Sequence, residues 1–393
     1  MLGCTDNYTI CERLSVAFNL PLDAYAGKHI IMAGDFAQLP PPGKGKYALY
    51  SSKIGLRTSA GKLSTQKASI GRALWHSFTT VVILRVSMRQ RGESAEDIKF
   101  RTALSNMRYA ACTPEDVQLL KSRVVGNSPM AAHIGDPRFR NISIITAFNR
   151  HRDVINEVSC VRFAAETGAE LHTFLSHDQW ADNKQHDSLR DELRSLRTTL
   201  DPKRTSNSVT ASFQRLLWDL PPKDASHTAG KLTLCMHMPV LLKTNEATEL
   251  CATNGAEGIV VGWDVRRVTE DGSYLSTVFV RLTASPRPVQ LEGLPPNVIP
   301  IATVRERIQC TLPNGLDVHI WREQVPLLPN FAMTDYASQG RTRPFNPVDL
   351  RGSRTHLSMY TALSRSSTLD GTLILYDFDE RKITCGASEE LKR

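Results

Sequence analysis

Three short runs of β-branched and apolar residues constrain this chain more than anything else in it: His29–Ala33 (HIIMA), Val81–Val86 (VVILRV) and Ile142–Thr146 (ISIIT). The first stops at Gly34-Asp35, the pattern of a buried strand that feeds a loop, and the other two read as buried strands by composition. Helical patterns follow two of them. One starts at Ser94 and carries Ile98, Leu104 and Met107 on its apolar side; the other starts at Asn149 and runs through Val154 and Val158. Between them Thr113-Pro114-Glu115-Asp116 predicts a helix start, because Thr can cap free N–H groups, Pro fits the first turn and acids meet the positive end of the dipole. Strand and helix in alternation predict a parallel α/β sheet.

The alternation is interrupted. Residues 41–72 are rich in Gly, Ser, Lys and Pro and predict a flexible basic excursion. From about 172 to 230 the chain is polar and charge-balanced, and Leu189, Leu193, Leu196 and Leu200 predict an amphipathic helix on a mobile insertion. From 231 to 325 short β-like runs alternate with turn residues: Val240–Lys243, Gly258–Trp263, Ser276–Leu282, Ile299–Thr303 and Asp317–Trp321. They predict a small all-β barrel set into the α/β frame, with Asn254-Gly255 as a hairpin turn. The α/β character returns at 326–379 and ends in the apolar run Thr372–Tyr376.

A length of 393 residues allows two or three domains. The formal charge of +8 suits a polyanionic partner, since Lys and Arg gain by displacing counterions from phosphates. Eight cysteines lie scattered with no CxxC, which fits a reducing compartment. Cys235 with His237, and His172 with His177, lack a second pair at a zinc-binding spacing, so no metal site is predicted. No apolar run approaches the ~18 residues that would span a bilayer, and the first residues lack a secretory pattern. A soluble intracellular protein without membrane contact is the expectation.

Four stretches then stand out in order: GDFAQLPP (Gly34–Pro41), SMRQ (Ser87–Gln90), AMTDYASQGRT (Ala332–Thr342) and MYTALSRSS (Met359–Ser367). Singly, each has a plain reading. Gly-Asp and Pro-Pro are ordinary turn formers, and Arg365 could be a surface arginine on an ordinary helix. Their order resembles motifs III to VI of the Pif-type, RecD-like superfamily 1 DNA helicases, including relatives in Helitron transposons. The resemblance runs from residue 1 to about 379. It implies an α/β fold: a RecA-like helicase core of the P-loop NTPase type with an inserted SH3-like β-barrel. Residues 1–86 would be a partial first motor domain, 87–171 with 326–393 the second, 172–230 a helical or flexible insertion, and 231–325 the barrel.

The resemblance also implies roles. Gln38, Arg89 and Arg365 would be catalytic, as γ-phosphate sensor, second-domain arginine and arginine finger. Gly34, Asp35, Gln38, Arg89, Gln339, Gly340 and Arg365 would face the nucleotide, while Thr334, Tyr336, Ser338 and Gln339 would contact DNA. The family's cofactors would be ATP and Mg2+. Its partner would be single-stranded or forked duplex DNA, its state a monomer, its place the nucleus or a mitochondrion, and its movement 5′-to-3′. Ser87 stands for the usual Asn, and Tyr336 and Ala337 for the usual His and Lys; a tyrosine there can still stack on a base.

Two motifs that such a motor needs are missing from the sequence. No stretch reads GxxxxGK[ST], whose backbone N–H groups cradle phosphates. The nearest, GLRTSAGKL at Gly55–Leu63, has one residue too many between its glycines and Leu63 where the metal-binding hydroxyl belongs. Nor does an Asp-Glu pair precede GDFAQLPP, and Met1-Leu2-Gly3 sits where the residues after that pair would fall. The sequence therefore predicts the carboxyl-terminal part of such a helicase with little ATPase of its own. The alternative is a non-enzymatic remnant that binds single-stranded nucleic acid.

Overall fold

The computed structural model describes residues 2–21, 23–41, 47–51, 54, 63–126, 135–181, 208–283, 285 and 287–389. The chain divides into two units, 1–140 with 338–393, and 141–337. The amphipathic helix expected at Leu189–Leu200, and Gly55–Lys62 of the near-match to a phosphate loop, lie outside the described residues.

The first unit opens with helix α1 (Cys4–Phe18), which packs on α2 (Leu63–His76). A flexible excursion was expected to reach residue 72, and the structure corrects this: α2 is helical because it has a partner. The two helices meet at backbone distance. A Cβ built on Gly71 would lie 1.7 Å from the Cys4 carbonyl oxygen, so this close approach admits only glycine. Cys4, Leu49, Ile54 and Ala68 form the small core beneath, and burial pushes the Cys4 thiol up to about 11. Helix α3 (Ala95–Met107) is capped by Ser94, which accepts the Asp97 N–H at 3.0 Å. Its buried side is Phe100, Ala103, Leu104 and Met107, whereas Ile98, expected there, is exposed. Helix α4 (Pro114–Lys121) starts as predicted with a reciprocal capping box between Thr113 and Asp116.

The runs His29–Ala33 and Val81–Val86 are not strands, contrary to expectation. Their composition suits a pleated, half-buried surface. Among the described residues nothing pairs with them, and Ile31 is 94% exposed, Val81 80% and Leu84 87%. A strand exists only through its ladder, so strand-forming residues without neighbours remain open chain. Among the described residues, more than half of the exposed large apolar side chains fall before residue 90. The double substitution Val82→Lys/Leu84→Lys is therefore expected to change the unfolding free energy by no more than about 0.5 kcal/mol. It should also reduce self-association in sedimentation velocity, because exposed apolar strand formers template pairing.

In the second unit, β1 (Ile144–Thr146) lies where predicted and precedes α5 (Asn149–Thr167). The sequence pattern misplaced the face of α5. Val154 and Val158 are exposed, and Arg152, Asn156, Cys160, Phe163 and Ala164 are buried. Residues 172–180, expected in the mobile insertion, form β2 (His172–Leu175) and β3 (His177–Trp180), followed by α6 (Ala211–Asp219). Next come β4 (Lys231–Leu234), β5 (Pro239–Leu242), β6 (Glu257–Thr269), β7 (Gly272–Leu282), β8 (Val298–Ala302), β9 (Val304–Thr311), β10 (Asp317–Gln324), β11 (Leu327–Pro329) and β12 (Ala332–Thr334).

The β-rich stretch is thus present, arranged as two sheets. One runs β11-β5-β6-β7-β2-β4 with β8 on β7; the other is β3-β10-β9. Asn254-Gly255 forms a turn, with Gly255 at φ 90°, but inside a longer β5–β6 connection rather than a tight hairpin. The parallel pairing that the α/β pattern predicts appears between β1 and β12. Asn156 of α5 seals its edge by accepting the N–H groups of Phe331 at 3.0 Å and Ala332 at 2.8 Å.

From residue 338 the chain rejoins the first unit with β13 (Asn346–Asp349), α7 (His356–Leu363) and β14 (Thr372–Ile374). Strands β13 and β14 are parallel, and Arg123 donates to the carbonyl oxygens of Thr372 and Asp370, both at 2.8 Å. No described helix is long and apolar enough to cross a membrane.

Candidate functional site

The loop after His29–Ala33 is organised by one carboxylate. Asp35 Oδ1 accepts the Ala37 N–H at 3.0 Å, which closes a turn of the kind short acidic side chains favour. The same carboxylate accepts Arg108 Nη2 at 2.9 Å and the Tyr360 hydroxyl at 3.2 Å. Arg108 ends α3 and Tyr360 stands on α7, so Asp35 ties the GDFAQLPP stretch to MYTALSRSS. Burial, then the Asp35 carboxylate, push the Tyr360 hydroxyl up to about 12, and it remains a donor at neutral pH.

A second knot joins SMRQ to the same helix. Ser87 Oγ donates to Gln90 Oε1 at 2.6 Å and accepts the Gln90 backbone N–H at 3.2 Å. This closed loop shows what Ser does in the place of Asn: it orients Gln90. Gln90 Nε2 then donates to the carbonyl oxygens of Ser364 at 3.2 Å and Ser366 at 2.8 Å. Arg89 donates through Nη1 to the Ser364 carbonyl at 2.9 Å and through Nε to Thr342 Oγ1 at 3.1 Å.

Arg365 lies one residue beyond that shared carbonyl and is 1% exposed. Its Nε donates to the Thr361 carbonyl at 2.9 Å and its Nη2 to Ser364 Oγ at 2.8 Å, while the buried Nη1 has no hydrogen-bond partner among the described residues. Burial first, and the charge of Arg89 second, push its pKa down to about 10, so it is still a cation at neutral pH. Two guanidiniums and one unspent buried donor make this a place where an anionic oxygen would be stabilised.

The remaining predicted residues are placed less decisively. Gln38 is half-buried, and its side chain has no hydrogen-bond partner among the described residues. Gly34 is exposed, and a Cβ there would meet nothing within 4 Å, so no crowding explains the glycine. Gly340 does have a backbone reason, a turn at φ 80°. Gln339 beside it is half-buried, and Ser338 is fully buried, its hydroxyl turned away from solvent. In the second unit Thr334 Oγ1 accepts the Ala337 N–H at 3.3 Å, and Tyr336 is 41% exposed.

The structure thus places Asp35, Arg89 and Arg365 around the segment Tyr360–Arg365, together with Arg108, Gln90 and the hydroxyl of Tyr360, to which the sequence reading gave no role. Gln90 was legible as the last letter of SMRQ, and Tyr360 only as a letter of MYTALSRSS. Nothing in the sequence marks Arg108.

No family model matches the sequence, and no curated protein matches it either. Solved structures do match. The Pif1 helicase of Candida albicans superposes with a TM-score of 0.59 at 16% identity, covering 100% of this chain and 73% of that one. The fold is that of Pif1 helicases. A Bacteroides Pif1 helicase in complex with ADP-AlF3 and ssDNA gives a TM-score of 0.60 at 17% identity, over 97% of this chain and 70% of that one. A structure of two coordinating Pif1 helicases unwinding forked dsDNA gives 0.59 at 17% identity, over 97% and 68%. The Pif1 helicase fold accounts for the mixed α/β character and for the parallel pairs β1–β12 and β13–β14 of a RecA-like core.

Proposed function

We propose that this chain is the arginine-bearing part of an ATP-dependent 5′-to-3′ DNA helicase, and that alone it binds single-stranded DNA without turning over ATP. The observation that carries this reading is the convergence of segments up to 325 residues apart, through Asp35, Arg89, Gln90, Thr342 and Tyr360, on the backbone around Arg365. Ordinary packing does not require two arginines to be held on one residue, Arg89 on the Ser364 carbonyl and Arg365 on the Ser364 hydroxyl; a phosphoryl group does reward them. The Pif1 fold supports the DNA partner, and the exposed Tyr336 offers a ring for a base. The β-rich part of the second unit corresponds in this reading to the family's SH3-like insertion.

The donors present suit nucleotide phosphates, with Arg89 and Arg365 as holders. Mg2+ does not fit at Asp35, whose oxygens already accept Arg108, Tyr360 and the Ala37 N–H beside further positive charge. In this reading the main cradle for the phosphates is not supplied by these residues, because the sequence contains no GxxxxGK[ST]. The exposed runs support this reading. His29–Ala33 leads into Gly34–Gln38 and Val81–Val86 into Ser87–Gln90, so a parallel sheet completed on them would set its own loops beside Arg89.

Fluorescence anisotropy with a labelled oligo-dT tests the DNA half of the proposal. Binding is expected at about 50 mM salt and should weaken steeply with added salt, log K falling by about 0.7 per phosphate contact on the log scale. An unshifted anisotropy at that salt would contradict it.

A further inference from the structure

We infer that the outer face of the sheet β3-β10-β9 is a base-stacking platform for single-stranded DNA, centred on the pair Arg305 and Trp321. Successive side chains of a strand point to opposite faces. On β10 the buried set is Val318, Ile320, Arg322 and Gln324, which leaves His319, Trp321 and Glu323 on the other face. The inner face needs no help from Trp321. It already packs Trp180 on Phe213, stacked at 4.8 Å, with Leu217, Ile308 and Cys310.

Register builds the outer face. Trp321 is flanked by Arg307 on β9 and Gln179 on β3, and Glu323 by Arg305 and His177. The Arg305 guanidinium lies over the Trp321 ring, 5.1 Å from its centroid, and Nη2 donates to Gln179 Oε1 at 2.8 Å. A guanidinium held over an indole pairs a planar cation with an aromatic ring, and both are groups on which an unpaired base can stack. A depression of about 160 Å³ opens there, lined by His177, Gln179, Arg266, Arg305, Trp321 and Glu323.

Charge selects the occupant. Arg266 pairs with Glu323 at 2.5 Å, the carboxylate of this depression, and Arg305 adds a further positive charge on the strand beside Trp321. A phosphodiester chain answers both features, since its bases stack and its phosphates meet the arginines. Duplex DNA hides its base faces, and an acidic peptide has no ring to stack. The inference rests on the DNA-binding reading above, but places a contact on residues which that reading does not use.

The test is titration of the full chain with labelled oligo-dT of about a dozen nucleotides, at salt from about 50 to 200 mM, with circular dichroism to confirm folding of each variant. Trp321→Leu is expected to weaken binding about tenfold, whereas Trp321→Phe keeps most of the affinity. Arg305→Gln, a milder change for the sheet, should lower the salt slope by about one. If Trp321→Leu and Arg305→Gln bind like the unaltered chain, the platform is refuted while the DNA reading stands. If the unaltered chain binds no oligo-dT at any salt, the reading beneath it fails. Displacement of oligo-dT by poly-glutamate at equal charge concentration, or binding of oligo-rU at Trp321 in preference to oligo-dT, would likewise overturn it.

Discussion

Replacing Arg322 with Met is expected to cost the second unit about 3–5 kcal/mol of stability, read from urea denaturation. Arg322 and Asp178 are both completely buried and form a two-pronged ion pair, with Nε and Nη2 each 2.8 Å from a carboxylate oxygen. The spare donors are satisfied too, by the carbonyl oxygens of Thr228 and Leu217. Gln214 and Ser176 supply further donors to Asp178. Burying two ions yields little net stability, because desolvation consumes most of their attraction. Removing one partner is different, since it strands a carboxylate in an apolar interior. The double variant Asp178→Leu/Arg322→Met should therefore recover much of the loss, and a loss equal to the sum of the two singles would show that the pair is not coupled. Arg322 is also the inward neighbour of Trp321, so this pair sets the rigidity of the face proposed to meet DNA.

A larger effect is expected in turnover. An arginine finger is worth about 10³ to 10⁵ in rate where a γ-phosphoryl group is already gripped. Its value comes from fixed charge at the place where charge develops. Here Arg365 is folded against its own helix, bound to Thr361 and Ser364, and the charge of Arg89 lies near its own. On the proposed reading, with no GxxxxGK[ST] in the sequence, neither arginine is expected to have a transition state to stabilise. The chain should bind DNA and leave ATP intact.

How far the sequence reveals this depends on the kind of signal. The capped starts of α3 and α4 were legible because a cap is a local contract between residues three apart. Most of the β-rich strands were legible through their turn residues. The runs at 29–33 and 81–86 were legible as strand formers and yet are not strands, because pairing depends on neighbours that a local pattern cannot report. The buried face of α5 was misjudged for a related reason. Asn156 and Arg152 turn inward to serve hydrogen bonds, and the valines are left outside. At the candidate site, Asp35, Arg89 and Arg365 were singled out by motif order. Arg108 and the Tyr360 hydroxyl were not, since a contact across 325 residues leaves no trace in spacing. The Trp321 platform was invisible for the same reason, as it exists only in the register of three strands.

The central claim is that this chain carries the arginine side of a helicase site without the means to hold its nucleotide. The most direct measurement is steady-state ATP hydrolysis by the purified chain with saturating oligo-dT, alongside Arg365→Ala. The account predicts no turnover above background from either protein. DNA-stimulated hydrolysis by the unaltered chain that disappears in Arg365→Ala would contradict it.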